Sequence, residues 1–367
     1  MTDFAAFDHT FMAQALRLAE RGLYTTMPNP RVGCVIVKDG IIVGEGAHVK
    51  AGEPHAEVLA LRQAGECAKG ATVYVTLEPC SHFGKTPPCA DALVQADVAK
   101  VIAAMQDPNP LVAGQGLARL AAQGIEVASG LMQAQAEALN PGFISRMNKK
   151  MPFVRSKIAA SLDGKTALSN GASQWITGEA ARRDVQHWRA RSCVIMTGIG
   201  TVLSDNPSLT VREIALERQP LRVVVDSQLR TPLNAKVLQN GRANSQTLIA
   251  FAHDPDEKAE KLFEAGAELL CVPDEQGKVC LKTLLSHLAA NEINEVLVEG
   301  GEGLNGALMA QKLIDELIIY YAPKIMGSDA KGMFATPSLT AMQQAVSLDI
   351  LEVRQFGADI RLRAKLA

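Results

Sequence analysis

Apolar runs of four to nine residues alternate with segments of helical period along nearly all of the 367-residue chain. That alternation confines the chain to layered α/β folds, because each strand and each helix must bury a face against the other. Asp8 stands where an N-cap would open a helix carrying Phe11, Met12, Ala15, Leu16 and Ala19, closed by Gly22. A hairpin is expected at 32–37 and 41–45, about an Asp39-Gly40 turn. Helices are expected at 54–65, 89–96 and 117–123, and strands at 71–77, 100–105 and 125–128.

A further helix at 133–140 is expected to stop at Pro141-Gly142. Arg146, Lys149, Lys150 and Pro152 then form a polar, aperiodic stretch. The domain boundary is therefore expected near 146–151, giving units 1–148 and 149–367. The second series has strands at 153–160, 193–197, 221–226, 247–251, 268–272 and 295–298. Its helices lie near 178–190, 256–265, 281–290 and 303–312. Closing strands at 316–321, 348–355 and 359–363 are expected to add antiparallel pairs to the sheet.

Composition and charge serve to exclude. No apolar run reaches the ~18–20 residues of a membrane span. Residues 1–10 lack the basic and apolar regions of a signal peptide. Residues 1–145 hold ten basic and fourteen acidic side chains, the remainder 27 and 25. Neither half carries the basic field that nucleic acid or a membrane surface attracts, and 4% aromatic content gives few platforms for stacking bases. The mild positive balance of the second half suits small anionic ligands. Seven cysteines without a signal peptide read as reduced thiols in a cytoplasmic protein. Clustered cysteines then read as ligands or nucleophiles, and Cys34, Cys67, Cys193, Cys271 and Cys280 as core or bystander residues.

The cluster comprises His55-Ala56-Glu57, Glu78-Pro79-Cys80 and Pro88-Cys89. One imidazole and two thiolates suit a single zinc ion per chain, with a fourth position left for water whose pKa the metal lowers. Glu57, beside the ligand His55, then moves the protons, with Glu78 as the second candidate. Positions 55 and 57 lie about 200° apart on a helical wheel, so they converge only over a helix end, and Pro54 suits such an end. Cys89 likewise opens a helix after Pro87-Pro88, where a thiolate is favoured. Eight residues separate the two cysteines, against two in the zinc deaminases with the short Cys-x-x-Cys spacing. His82 lies in that loop, so a closed structural site with His82 as fourth ligand is the competing reading.

Pro28-Asn29-Pro30-Arg31-Val32-Gly33, His55-Ala56-Glu57, the 76–89 string Thr-Leu-Glu-Pro-Cys-Ser-His-Phe-Gly-Lys-Thr-Pro-Pro-Cys and Asp107-Pro108-Asn109-Pro110 together resemble one known pattern. It is the deaminase half of the bifunctional riboflavin-biosynthesis family. The resemblance implies a cytidine-deaminase-like α/β/α fold that hydrolyses the 2-amino group of a diaminopyrimidinone carrying a ribosylamino 5′-phosphate. It implies that Asn29, His48, His82, Lys85, Asp107 and Asn109 line the substrate, with Lys85 at the phosphate.

In the second half, Glu299-Gly300-Gly301-Glu302-Gly303 lies between an apolar strand and a helix, where glycines let backbone N–H groups approach a phosphate. Alone, it reads equally well as a tight junction. The strings at 157–165, 173–177 and 197–212 resemble the reductase half of the same family. The resemblance implies a dihydrofolate-reductase-like α/β fold that uses NADPH. Carried over by position, Ala159, Trp175, Thr201, Asp205 and Ser227 would contact NADPH, together with Gly301, Glu302, Gly303, Leu304, Asn305, Gly306 and Ala307. Ser173, Arg189, Leu209, Arg212 and Glu299 would contact the phosphorylated pyrimidine substrate, the arginines clamping phosphate.

Hydride delivery to C1′ of the opened ribosylamino group also needs a proton, and Lys157 and Asp205 are the candidate catalytic groups. Segment 254–287 reads as scaffold, Arg182-Arg183 as a solvated helix face, and Trp188 as core. A homo-oligomer, a dimer first, is the expected assembly. Two rival readings remain at this point. One is a deaminase fused to a non-catalytic nucleotide-binding or oligomerisation domain. The other is a nucleic-acid-editing deaminase, which the acidic first half opposes.

Overall fold

In the computed structural model, strand pairing in the first half starts from a hairpin of β1 (Gly33–Lys38) and β2 (Ile41–Ala47). Asp39 and Gly40, its two turn residues, both take positive φ, as a two-residue hairpin turn requires. Residues 4–81, 87–110, 112–239 and 246–366 are described, and the chain divides into two units, Met1–Met151 and Pro152–Ala367. In the first, α1 (Ala6–Ala19) precedes the hairpin, and α2 (Ala56–Ala64), β3 (Thr72–Val75), α3 (Cys89–Gln95) and β4 (Lys100–Ala103) follow it. Then come α4 (Gln115–Ala122), β5 (Glu126–Ser129), α5 (Gln133–Leu139) and α6 (Pro141–Lys149). The sheet runs β2-β1-β3-β4-β5, with β3, β4 and β5 parallel and β1 antiparallel to both its neighbours.

Two glycines show how the helices sandwich this sheet. Cys34 pairs with Gly46, so Gly33 and Gly46 face opposite sides. A Cβ on Gly33 would stand 2.0 Å from the Ala15 carbonyl oxygen of α1, and one on Gly46 2.0 Å from that of Ala56 in α2. Each helix therefore lies directly on the strand backbone, one per face. Ile36, Val73, Leu93 and Ile102 fill the core between the layers.

Two local expectations need correction. Asp8 is the third residue of α1, not its cap; its carboxylate accepts the Ala5 N–H at 2.8 Å and the Tyr74 hydroxyl at 2.7 Å. Pro141 opens α6 instead of breaking the chain, since a first helical position needs no N–H donor. The stretch read as an aperiodic connector is thus helical as far as Lys149.

The second unit contains β6 (Phe153–Ser161), α7 (Glu179–Arg191), β7 (Val194–Gly198), α8 (Ile199–Asp205), β8 (Leu221–Val225), β9 (Thr247–Phe251) and α9 (Ala259–Glu264). It continues with β10 (Ala267–Cys271), α10 (Leu281–Ala290), β11 (Glu295–Val298), α11 (Glu302–Ala310), β12 (Glu316–Ala322), β13 (Leu348–Phe356) and β14 (Asp359–Leu366). Sequence patterning missed α8, a seven-residue helix enclosed by glycine-rich and Asp-Asn-Pro signals. The nine strands run β10-β9-β8-β7-β11-β6-β12-β14-β13, parallel from β10 to β12 and antiparallel beyond. No helix among the described residues is long and apolar enough to cross a membrane.

The contact between Gly46 and α2 generates a test, because His55 and Glu57 sit at the start of that helix. Gly46→Val should push α2 away, lower the stability of the first unit by at least about 2 kcal/mol, and reduce bound zinc. Thermal unfolding and metal analysis report the two effects.

Candidate metal centre and reductase cleft

Three segments bring the metal-binding atoms of the first unit together. His55 is the N-cap of α2, Cys80 follows β3, and Cys89 is the first residue of α3. Their ligand atoms all lie within 4.8 Å of one another. His55 Nδ1 is 3.2 Å from Cys89 Sγ and 3.7 Å from Cys80 Sγ. Bonds of about 2.0–2.3 Å to one tetrahedral zinc ion put such edges near 3.6 Å, so the set fits zinc with Nδ1 as the nitrogen ligand. The Cys80 sulfur is drawn well below the usual thiol range, chiefly by a hydrogen bond from the Cys89 thiol and then by His55. Cys89, which supplies that proton, is pushed up.

Glu57, one residue into α2, is 3% exposed. Burial, and then the charge of Cys80, raise its carboxyl to about 7. His48 Nδ1 faces the Pro54 carbonyl at 3.2 Å, which leaves Nε2 to accept from Asn29 Nδ2 at 3.1 Å. Burial lowers the His48 pKa, favouring the neutral ring this arrangement needs. The His48 and His55 rings meet edge to face with centroids 5.3 Å apart, so Asn29 and His48 stand beside the cluster. Asp107 and Asn109 share a turn in which the Asn109 N–H donates to Asp107 Oδ1 at 2.8 Å. His82 and Lys85 lie outside the described residues.

Glu78 does not resemble a free proton carrier. Its carboxylate accepts four backbone N–H groups, from Asp107, Gly114, Gly116 and Leu117.

In the second unit a cleft of about 1020 Å³ opens at the C-terminal ends of β6, β7, β8 and β11. The chain leaves β7 toward β8 and leaves β11 toward β12, in opposite directions, so a crevice forms between these neighbours. At the cleft wall, Glu299 receives Arg189 Nε at 2.5 Å and Nη2 at 3.0 Å, and Lys157 Nζ at 3.0 Å. Burial would raise the Glu299 carboxyl, but Arg189 and then Lys157 outweigh it and hold it well below the usual carboxylate range. Arg189 also donates to the Thr210 carbonyl at 2.9 Å, so its fork serves the wall of the cleft. Ser173 Oγ donates to Asp205 at 3.3 Å. Ala159, Thr201, Leu209, Arg212 and Ser227 also line the cleft. Trp175, 64% exposed on its rim, lies under the Arg182 guanidinium at 4.7 Å.

Gly301 caps α11, and a Cβ on Gly200, Gly301 or Gly303 would meet nothing within 4 Å. These three glycines leave open space at the starts of α8 and α11 in the cleft, which fits the phosphates of a nicotinamide dinucleotide. The 301–307 run is only partly used. Gly301, Glu302, Gly303, Leu304 and Ala307 reach the cleft. Asn305 and Gly306, expected as cofactor contacts, do not line it. Helical period turns Asn305 into the core, where it accepts from Ser156 Oγ at 2.9 Å, and sets Gly306 against the Ala335 backbone.

Two bland readings fail here. Arg182 is no solvated bystander, because it shares a cleft-facing stripe with Val185, Gln186 and Arg189. That i, i+3, i+4, i+7 pattern was visible in the sequence. Segment 254–287 is not only scaffold, since Lys278, Val279 and Leu281 line the cleft. Lys236 and Lys331 line it too and were missed, having no periodic signal. Trp188 is buried, as expected.

Fold and site together define a two-unit enzyme, a zinc-dependent deaminase followed by a nicotinamide-dependent reductase. Residues 5–105 match the cytidine and deoxycytidylate deaminase zinc-binding region, and residues 152–362 match the RibD C-terminal domain. The riboflavin biosynthesis protein RibD of Escherichia coli is 51% identical, covering 97% of this chain and 98% of that protein. Its counterpart in Haemophilus influenzae is 48% identical, covering 99% and 98%. A solved structure of Acinetobacter baumannii RibD superposes with a TM-score of 0.91 at 48% identity, covering 98% of this chain and 99% of that one. The Thermotoga maritima diaminohydroxyphosphoribosylaminopyrimidine deaminase/5-amino-6-(5-phosphoribosylamino)uracil reductase gives 0.87 at 32% identity with the same coverage. The chain belongs to the RibD family, the bifunctional deaminase–reductases of riboflavin biosynthesis. Both the non-catalytic second domain and the nucleic-acid editor fall with that finding.

The ligand geometry implies that Cys89→Ser loses most of its zinc, since two protein ligands remain where three held the ion. Elemental analysis of the purified variant checks it, and deamination should be lost in parallel.

Proposed function

We propose that the first unit hydrolyses the 2-amino group of 2,5-diamino-6-ribosylamino-4(3H)-pyrimidinone 5′-phosphate. The second unit then reduces the ribosyl group of the product to ribityl with NADPH. The observation that carries the deaminase reading is a buried carboxylate, Glu57, set at the start of α2 beside the His55, Cys80 and Cys89 cluster. Zinc held there supplies Lewis acidity and lowers the cost of activating water. Glu57 would take one proton from the attacking water and pass it to the ring nitrogen, then take the second from the hydroxyl of the addition product and pass it to the departing ammonia. Asn29, oriented by neutral His48, offers its amide to the ring edge, and Asp107 and Asn109 bear on the substrate from their turn. By family likeness His82 and Lys85 would also contact the substrate, Lys85 at the phosphate.

In the reductase cleft NADPH supplies the hydride that reaches C1′ of the ring-opened ribosylamino group. The nitrogen must gain a proton in the same reduction. Lys157, held at the wall by Glu299, and Asp205, held by Ser173, are the groups we assign to that proton. Arg189 fixes Glu299, which leaves Arg212, exposed at the cleft, for the substrate phosphate. All seven cysteines are free, which suits a reducing, cytoplasmic setting.

Each unit carries its own core and its own site, so the activities should separate. Glu57→Gln keeps size and hydrogen bonding but cannot carry the proton. We expect zinc intact, deamination lowered by ~10²–10⁴-fold, and reduction of pre-deaminated substrate unchanged. Near-normal deamination would remove Glu57 from the mechanism. Loss of both activities would couple the units.

The assembly we propose is a homodimer through β13. That strand is one of the two edges of the nine-stranded sheet, and Leu348, Ile350 and Val353 present one exposed apolar face there. An Ile350→Lys, Val353→Lys double variant should sediment as a monomer if this edge is the contact. Unchanged mass against a dimeric parent would place the interface elsewhere.

A further inference from the structure

We propose that Glu78 is a positioning residue of the deaminase. Its carboxylate ties Asp107 and the start of α4 to the backbone beside Cys80 and so sets where Asp107 and Asn109 meet the substrate. The proposal rests on the reading of that turn as a substrate contact. Glu78 is 4% exposed, and each of its oxygens accepts two backbone donors. Oε2 takes the N–H of Asp107 at 3.1 Å and of Gly114 at 2.9 Å. Oε1 takes those of Gly116 at 2.8 Å and Leu117 at 3.2 Å. These donors flank the turn on both sides. Asp107 enters it, and Gly114, Gly116 and Leu117 open α4 behind it. At the start of a helix such N–H groups have no acceptor within the helix itself, and one buried anion satisfies them.

Between its two anchors the turn closes on itself. The Asn109 N–H donates to Asp107 Oδ1, and the Asn109 carbonyl accepts from Val112 at 2.8 Å and Ala113 at 2.9 Å. The Glu78 N–H donates to the Met105 carbonyl at 3.0 Å, which fixes Glu78 to the strand end that leads into the turn. A Cβ on Gly116 would stand 1.9 Å from the carbonyl oxygen of Pro79, the residue before the ligand Cys80. The start of α4 thus rests directly on the metal-binding segment. The Glu78 carboxylate thus links the position of the turn to that of the metal cluster.

Glu78→Gln separates positioning from general stability, because an amide keeps the size but offers one acceptor oxygen where the carboxylate offers two. Its NH₂ group then faces two N–H donors. In the full-length protein we expect zinc retained and reduction of pre-deaminated substrate unchanged. The KM for deamination should rise at least about 10-fold with kcat within about 3-fold, the signature of a lost ground-state contact. Amide exchange at Asp107, Gly114, Gly116 and Leu117 should quicken while the rest of the first unit keeps its protection. Should Glu78→Gln not fold, Gly116→Ala displaces α4 from Pro79 from the opposite side and should give the same rise in KM.

An unchanged KM overturns the proposal. So does a fall in kcat accompanied by loss of zinc, which would make Glu78 a support of the metal cluster instead. Asn109→Ala distinguishes the two levels of the argument. If it raises KM and Glu78→Gln does not, only the positioning role falls. If neither raises KM, the reading of the turn as a substrate contact falls as well.

Discussion

Arg155 and Lys157 stand two residues apart on β6, so strand alternation turns both toward the same face of the sheet. Neither charge can be buried there without a carboxylate partner. The chain answers from β11 and just beyond it, with Glu295 bonded to Arg155 and Glu299 to Lys157, while Glu316 of β12 receives the Nε of Arg155 at 2.9 Å. The end of α7 repeats the pattern, Arg191 on Glu295 and Arg189 on Glu299. The alignment of three central strands and the placement of a helix are thus bound to one requirement of charge. A one-residue slip of β6 would turn both cations to the wrong face. The lower tier of this ladder is sealed, with the Arg155 guanidinium 5.6 Å from the Trp188 ring. The upper tier opens into the cleft.

The two sites set their carboxylates by opposite means. Glu57 is buried close to the Cys80 sulfur, and its proton is retained to about pH 7. Glu299 is buried between two cations and stays ionised. The first arrangement suits a group that accepts and releases a proton; the second suits a fixed charge that holds others in place. The sequence motifs place both residues at a site but leave the charge state of each carboxylate unsaid. Their roles diverge through what the fold packs beside each one.

That difference explains what could be read in advance. Strand and helix order was legible, because burial on one face leaves a period in the sequence, and His55, Cys80 and Cys89 were legible because metal chemistry restricts residue types. Errors arose where a residue has two uses. Asp8 caps from inside α1 because Tyr74, far along the chain, shares its carboxylate. Pro141 can stop a helix or start one, and only the fold chooses. Asn305 shares a motif with Gly301 and Gly303, yet it packs inward to meet Ser156 on β6. The four bonds of Glu78 join residues 29 to 39 positions apart, a distance at which no local pattern operates.

The cleft cations missed by sequence reading follow the same logic and bear on ligand orientation. Lys157, Arg182, Arg189, Arg212, Lys236, Lys278 and Lys331 face only Asp205, Glu299 and Glu302 among the residues lining the cleft. Lys157 and Arg189 are already paired with Glu299, so the uncompensated cations lie elsewhere, on loops and helix faces. Across the sheet the cleft passes from β6 through β11 and β7 to β8, three steps of about 4.8 Å each. The open glycines follow β11 and β7, in the middle of that path. A dinucleotide whose phosphates occupy the middle must send its two ends in opposite directions. On the reading proposed above, one end would lie toward Lys157 and Glu299 and the other toward Ser227, which follows β8. The strand order therefore gives the cleft a direction, with paired charges at its β6 end and, contributed by the segments beyond β8, lysines such as Lys236 and Lys278 that form no ion pair among the described residues.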